Sequence, residues 1–419
     1  MNLLLKHNFE LRTSDFQLSI TGSKSETNRL LLLQALYPNI SLENTSNSDD
    51  SEVMINTIQN FQLPVSNFQL FDIHHAGTAM RFLTAFFAIQ EGREVVLTGS
   101  SRMKERPIKI LVEALRQLGA EISYEENEGF PPIKIKGKKL AQNKVSLSAN
   151  VSSQYISALL LIAPKLENGL ELTLEGEITS IPYIKMTLAL LNEIGVATSF
   201  VENKITVTPS AVEVPHLTKI IVESDWSSAS YWYSIVALSE MGVQIILSSY
   251  KQNSLQGDSA LVEIYRNFGV ETTFNDNNSI TISKINNAQI TNHNLQLNNS
   301  PDIAQTIAVT CFGLGIGCHL TGLHTLKIKE TDRLEALKKE LSKLGASISV
   351  TNDSLTLESS SEIIENVAIK TYQDHRMAMA FAPLALKTTL IIEEAEVVSK
   401  SYPTFWEDLK SIGILISQI

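Results

Sequence analysis

At 419 residues the chain exceeds what one hydrophobic core usually serves, and its 43% hydrophobic and 19% charged residues are those of a folded globular protein of two or three domains. A formal net charge of -11 excludes extended contact with nucleic acid or anionic lipid, so an anionic ligand must meet a local cationic pocket. Cys311 and Cys318 suggest neither a disulfide framework nor a metal motif, and a reducing, cytoplasmic setting fits. Met1 to Lys6 lacks the basic region, apolar core and cleavage signature of a signal peptide. The most apolar long segment, Ile303 to Leu323, includes Gln305, His319 and several glycines, and reads as a buried helix and turn with no membrane span.

In chain order, the first candidate is Thr21 to Arg29, which follows an apparent strand (FQLSI) and opens a helix. Backbone N–H groups at a helix start, with Lys24 and hydroxyls, make an anion site by electrostatics, although an ordinary capped helix with a solvated lysine gives the same pattern. It is not a Walker A loop, since no Gly directly precedes Lys24. His74 to Arg81 places small residues before an apolar helix, where Gly77 lets a ligand approach the backbone; the paired histidines lack a third metal ligand. Arg102 to Pro107 gathers three cations before a proline at a helix start, a pattern that a solvated loop also produces.

Ser152-Ser153-Gln154 and Ser227 to Ser230 lead apolar helices and read first as hydroxyl caps. Asp302, after Pro301, reads first as an N-terminal dipole partner. Lys327 to Arg333 is a second basic run, whose Thr331-Asp332 caps a helix beginning at Arg333. Asp374-His375-Arg376 precedes another apolar helix, and an arginine is unfavourable there unless an anion neutralises it.

Between these segments one pattern recurs: amphipathic helix, glycine break, short strand, polar turn, short strand. It is clear in Ile108–Lys136, Ile184–Val207, Leu261–Ile282 and Arg333–Leu357, with Gly119, Gly195, Gly269 and Gly345 as the helix C-terminal breaks. The copies start roughly 75 residues apart, a longer period than a solenoid's. Weaker copies near Asp50 and Tyr402 bring the count to six, three to each of two similar domains. The class is α/β (α+β) with mixed sheets.

Taken together, GSKSETNR, HAGTAMRFLTA, LTGSSRMKERPI, VSSQYISALLLIAP, PYIKMTLALL, ESDWSSASYW, SPDIAQTIAV, KIKETDRLEALKKEL, TYQDHRMAMAF and VVSKSYPTFWEDL resemble, in order and along nearly the whole chain, the signature of the enolpyruvylshikimate-phosphate synthase family. The resemblance implies a two-lobed enolpyruvyl transferase fold, each lobe three repeated βαβαββ-like units (an inside-out α/β barrel). Residues 1–22 with 226–419 would form the lobe holding both termini, 23–225 the inserted lobe, with crossings near Gly22 and Asp225. It implies transfer of the enolpyruvyl group of phosphoenolpyruvate to the 5-hydroxyl of 3-phosphoshikimate, in chorismate and aromatic amino acid biosynthesis. No cofactor, metal, nucleic acid or membrane partner is implied, and a cytoplasmic monomer is the family default.

Two phosphates of about -2 each, some 6 Å apart at an effective dielectric near 20, repel by on the order of 10 kcal/mol, so the reaction needs a cationic cluster. The resemblance supplies it around phosphoenolpyruvate from both lobes: Lys24 and Arg106, then Arg333, Arg376 and Lys400, bordered by Gly77 and Gln154. Lys24 would also touch 3-phosphoshikimate, otherwise held by Ser25, Arg29, Ser152, Ser153, Gln154, Ser180, Asp302 and Lys329, with Tyr183 beneath its ring. Asp302 matches the family's base and Glu330 its proton donor, while Lys24 assists phosphate departure and Asp374 and His375 support. Repulsion among these cations implies lobes that close on substrate, a contraction that solution scattering would register.

Thr21, His75, Phe82, Ser224, Trp226 and Thr325 depart from the family pattern, and His75, Phe82 and Thr325 bear on ligand contacts and on sensitivity to glyphosate. Two rival readings are enolpyruvyl transfer to UDP-N-acetylglucosamine, which uses a loop cysteine, and a non-catalytic repeat scaffold, which would have lost the charged set. Cys311 and Cys318 are misplaced for the first, and every main charged member is present against the second.

Overall fold

The computed structural model describes residues 1–6, 16–63, 68–149, 152–176, 178–209, 218–288 and 292–419. Two compact units emerge: Met1–Gly22 with Glu223–Ile419, and Ser23–Val222. Part of the weak copy near Asp50 lies outside the described residues; its helix, Asp49–Gln62, does not.

Among the described residues, five four-stranded sheets share one connectivity, in which a parallel pair is followed by two antiparallel strands. In Ser23–Val222, Phe68–Asp72 runs parallel to Glu94–Thr98, which pairs antiparallel with Ile133–Lys136, and that strand closes a hairpin with Glu121–Tyr124. Lys144–Ser148, Leu170–Glu175, Lys204–Val207 and Thr198–Val201 repeat the plan. The other unit repeats it on Phe16–Leu18 with Gln244–Ser248, on Asn292–Gln296 with Gly317–Thr321, and on Val367–Ile369 with Leu390–Ile392. In the last, the antiparallel strands are Leu3–Lys6 and Leu415–Gln418, so the chain's two ends complete one sheet. Among the described residues, a sixth copy shows only the parallel pair Thr218–Ile221 and Ile40–Glu43. The α/β class with three repeated units per lobe, expected from the helix–glycine–strand pattern, holds.

In four sheets an apolar helix bridges the parallel pair, while Lys24–Leu36 leads from Phe16–Leu18 to Ile40–Glu43 and Trp226–Leu238 from Thr218–Ile221 to Gln244–Ser248; these first helices form the core of their own unit. Lys24–Leu36, Gly77–Ala88 and Ser153–Ile162 pack on one another in Ser23–Val222, and Trp226–Leu238, Ala304–Gly313 and His375–Phe381 lie together in the other unit. Their sequences lack a polar stripe because nearly every residue is buried, whereas second helices such as Lys109–Gln117 and Arg333–Lys343 keep a solvated face. Polar residues on the buried helices collect at the N-terminal turn, where otherwise unpaired N–H groups donate to hydroxyl and carboxylate oxygens.

The four break glycines have φ of +105°, +89°, +80° and +99°, and each N–H returns to the last helical turn, as from Gly119 to the Arg116 carbonyl at 2.9 Å. They differ in what surrounds them. A Cβ at Gly269 would fall 1.8 Å from the Asn286 carbonyl oxygen, while one at Gly195 meets nothing within 4 Å. Gly195→Ala should therefore cost about 1 to 2 kcal/mol in urea unfolding, the left-handed backbone cost alone, and Gly269→Ala more than about 3 kcal/mol. Equal losses would mean that the Asn286 segment yields freely.

Candidate active site

The two units carry separate charged sets. In Ser23–Val222, Lys24 is the first residue of helix Lys24–Leu36, capped by Ser23, and its Nζ lies 3.2 Å from Asp50 Oδ2. Arg29, one turn on, is buried: Nε donates to Thr187 Oγ1 at 2.8 Å, Nη2 to Ser157 Oγ at 3.0 Å, and Nη1 to the Ser25 carbonyl at 2.7 Å. Its guanidinium lies 5.3 Å from the Phe82 ring centroid and 5.8 Å from that of Tyr183. Burial, against the weaker pull of Tyr183 and Glu26, lowers its pKa to about 10, so it remains charged.

The basic run Arg102 to Arg106 separates by contact. Arg102 pairs with Glu105 at 2.9 Å and Lys104 with Glu126 at 2.7 Å, both at the surface. Arg106 instead lies over Gly77, where a Cβ would come 2.6 Å from Nη1, and its side chain has no hydrogen-bond or ion-pair partner among the described residues. Buried Arg81, which the sequence reading left without a role, ties the two loops together: Nη1 donates to the Gly77 carbonyl at 3.0 Å and Nη2 to the Pro107 carbonyl at 3.1 Å. Burial, then the charge of Arg106, lowers its pKa to about 10.

Ser152 caps Ser153–Ile162 by accepting the Gln154 N–H at 3.3 Å, and the Gln154 amide donates to Thr78 Oγ1 at 3.1 Å, beside Gly77. Ser180, at the start of Ile181–Glu193, is left-handed with φ +55° and makes no cap, so strain is held where a ligand contact was expected. Lys24, Ser25 and Arg29 thus share one helix, with Tyr183 against Arg29, while Gly77, Arg106 and Gln154 meet at the start of a second.

In the other unit the set centres on Arg333, 2% exposed, whose guanidinium engages three carboxylates. Nε donates to Asp374 Oδ2 at 2.7 Å, Nη1 to Asp302 Oδ1 at 2.9 Å and Nη2 to Glu330 Oε2 at 2.8 Å. Asp302 also lies 3.4 Å from Lys329 Nζ, and Arg376 Nη2 reaches its Oδ2 at 3.3 Å. Burial alone would raise the Asp302 pKa, but Lys329, Arg376 and Arg333 together outweigh it and hold the carboxyl well below the usual range. Asp302 is thus the anion that makes Arg376 tolerable at its helix start, and Asp374 caps that helix by accepting the Arg376 N–H at 2.9 Å. His375 Nδ1 stands 3.9 Å from Asp374 Oδ1, and Lys400 Nζ donates to the Gln373 carbonyl at 2.7 Å.

One expectation shifts. Trp226–Leu238 is capped by Asp225, which accepts the Ser228 N–H at 2.8 Å; Ser227 is therefore inside the helix with its hydroxyl free for side-chain contacts. Cys311 and Cys318 are both fully buried, and burial pushes the Cys311 thiol up, so it is no loop nucleophile. Among the described residues no group of three or more His, Cys, Asp or Glu is placed to hold a metal ion, and no helix is long and apolar enough to cross a membrane.

The fold has known counterparts. Solved structures of EPSP synthase from Acinetobacter baumannii superpose with a TM-score of 0.78 over 100% of both chains, at 20% identity. A 3-phosphoshikimate 1-carboxyvinyltransferase of Bacteroides fragilis is 46% identical across 94% of this chain and 95% of its own, and one of Shewanella pealeana 34% identical across 94% and 96%. The family model for EPSP synthase (3-phosphoshikimate 1-carboxyvinyltransferase) matches residues 41–409, and the chain belongs to that family.

Arg333→Ala should cost about 3 to 5 kcal/mol in urea unfolding near pH 7, since it leaves Asp374 and Asp302 without their shared cation. The sign with pH is set by Asp302: a depressed folded pKa contributes stability present above the unfolded carboxylate value and lost as pH falls through the folded one. The gap between wild type and variant should accordingly narrow below about pH 4. A gap that is constant with pH would mean that the pairs are not what Arg333 contributes.

Proposed function

We infer that this chain transfers the enolpyruvyl group of phosphoenolpyruvate to the 5-hydroxyl of 3-phosphoshikimate, releasing phosphate and giving 5-enolpyruvylshikimate 3-phosphate for aromatic amino acid biosynthesis. The observation that carries this reading is the Asp302 carboxylate gripped by Lys329, Arg333 and Arg376 in a chain of this family. A cytoplasmic monomer acting on these two small molecules completes it, supported by the family resemblance and the acidic charge.

The chemistry assigns protons as follows. Glu330 gives a proton to the methylene carbon of phosphoenolpyruvate, C2 becomes electrophilic, and the 5-hydroxyl attacks C2 as its own proton passes to Asp302. The tetrahedral adduct then expels phosphate, assisted by Lys24; a methyl proton returns to the Glu330 carboxylate as the double bond re-forms, and the proton held by Asp302 passes to the departing phosphate. A carboxylate held by three cations is a weak base, so Asp302 gains strength only when substrate anions draw those cations away. The same exchange loosens Glu330 from Arg333 and favours its protonated form. Arg106, lying on Gly77 with no carboxylate partner among the described residues, is ready for an anion without that exchange.

Purified protein given phosphoenolpyruvate and 3-phosphoshikimate should release phosphate, with none released when UDP-N-acetylglucosamine replaces the second substrate. Asp302→Asn should lower kcat by at least about a hundredfold, as removal of a general base does. Silence with both acceptors would refute the assignment. Gly77→Ala, which forces the Arg106 guanidinium from its seat, should raise KM for phosphoenolpyruvate about tenfold or more with little change in Tm. An unchanged KM would remove Arg106 from the phosphoenolpyruvate contacts.

A further inference from the structure

In four of the repeated copies the turn ahead of the second helix carries residues assigned above to substrate. These are Arg106 before Lys109–Gln117, Ser180 before Ile181–Glu193, Lys329 and Glu330 before Arg333–Lys343, and Lys400 before Phe405–Ser411. In the fifth copy, built on Trp226–Leu238, the corresponding turn is Gly257–Ala260, which leads into Leu261–Arg266 and carries Asp258. Neither the sequence nor the mechanism above gives Asp258 a role.

Asp258 is 3% exposed. Its Oδ2 hydrogen-bonds the Ser227 hydroxyl, and Oδ1 is buried with no donor among the described residues. The same Ser227 Oγ accepts from Arg376 Nη2 at 3.2 Å. Arg376 in turn donates from Nη1 to the Asp302 carbonyl at 3.2 Å and from Nη2 to Asp302 Oδ2 at 3.3 Å. A buried carboxyl with one idle oxygen is a costly way to hold a serine, so a purpose beyond packing is called for. We propose that Asp258 is a positioning residue for the transfer reaction, acting through the Ser227 hydroxyl to fix the Arg376 guanidinium and, through it, the Asp302 carboxylate. This rests on Arg376 and Asp302 having the roles given above.

The coupling follows from hydrogen-bond inventory. With Asp258 ionised, the Ser227 O–H donates to Oδ2 and an Oγ lone pair accepts the Arg376 N–H. With Asp258 protonated, its own O–H competes for Oγ and Arg376 loses an anchor. The charged groups facing Asp258 are Asp302 and Arg376 from their turns and Asp225 from the cap of Trp226–Leu238, while Glu263 and Arg266 on the helix that follows pair with each other at the surface at 2.8 Å. Burial first, then the charge of Asp302, pushes Asp258 up to about 7 against the opposite pull of Arg376 and Ser227. The anchor is therefore complete in mildly alkaline solution and lost in mildly acidic solution.

The test is the pH profile of kcat/KM for phosphoenolpyruvate, from phosphate release between about pH 5.5 and 9, for wild type, Asp258→Asn, Ser227→Ala and the double variant. Each single variant should lose on the order of tenfold at pH 8, mainly in KM, with the ratio to wild type closing toward one below about pH 6 as the wild type protonates. The double variant should be no worse than either single one. A ratio constant with pH, additive losses, or unchanged parameters would overturn the relay. If Asp258→Asn does not fold by near-UV circular dichroism, Ser227→Ala decides alone: a flattened acid limb supports the relay and a limb of wild-type shape overturns it. Asp302→Asn in the same assay separates the two questions, because undiminished turnover there defeats the base assignment while the KM effect through Arg376 stands or falls on its own profile.

Discussion

The unit holding both chain ends depends on the burial of one guanidinium. A 2% exposed arginine is stable in a protein interior only when its donors are met, and Arg333 meets one carboxylate on each of its three nitrogens. Those carboxylates come from separate places in the chain: Asp302 at the start of Ala304–Gly313, Glu330 from the turn before Arg333 itself, and Asp374 at the start of His375–Phe381. One side chain therefore registers two core helices against a third, outer one. Because the desolvation cost of the group is offset only in this geometry, the positions of Asp302 and Glu330 are set to within hydrogen-bond tolerance before any substrate arrives.

What the sequence made legible follows a physical rule. The helix–glycine–strand pattern was readable because a left-handed φ at a helix end leaves glycine few substitutes, and all four break glycines adopt it. Buried first helices were readable as apolar runs, and Asp374 with Arg376 as a charge anomaly that demanded an anion. That the anion is Asp302, some 74 residues earlier, was not readable, since spacing carries no information about long-range pairing. Nor could composition separate Arg106 from Arg102 and Lys104; only the bare backbone of Gly77 beneath it does so. Ser227 looked like a cap because serine and aspartate compete for that position, and Asp225 takes it. Asp258 gave no local signal at all. Its place in the repeat was the one clue, and it lies just before one of the second helices already read as a copy.

The two charged sets differ in kind. Around Arg333, three carboxylates face Arg333, Arg376 and Lys329, so the set is close to neutral and satisfied within itself. In Ser23–Val222, the hydrogen bonds of buried Arg29 and Arg81 go to hydroxyls, carbonyls and a thioether, and Arg106 has no partner among the described residues, leaving Asp50 on Lys24 as the one close ion pair of that set. A chain of net charge -11 thus keeps in this unit a cation, Arg106, without a carboxylate partner among the described residues, against the balance of the whole. Burial of these two arginines is costly: it outweighs the pull of Tyr183 and Glu26 on Arg29, and at Arg81 it is reinforced by the charge of Arg106, so both pKa values fall to about 10.

This asymmetry divides the work of handling anions. A cation already paired with a carboxylate offers an incoming phosphate only the difference between two favourable interactions, and releases a carboxylate in the exchange. An unpaired one offers nearly the whole of its charge-assisted hydrogen bonds. Under the mechanism proposed above, affinity is best drawn from the cation-rich set, while exchange in the neutral set converts ligand arrival into a change in the state of Asp302 and Glu330. In that mechanism the proposed base, Asp302, clamped until its substrates come, is protected from idle protonation, and the proposed acid, Glu330, released by the same event, is ready only when there is a carbon to receive its proton. The physical cost that makes Arg333 a fixed point of the fold is, on this view, also what keeps the two carboxyl groups out of action until both substrates are present.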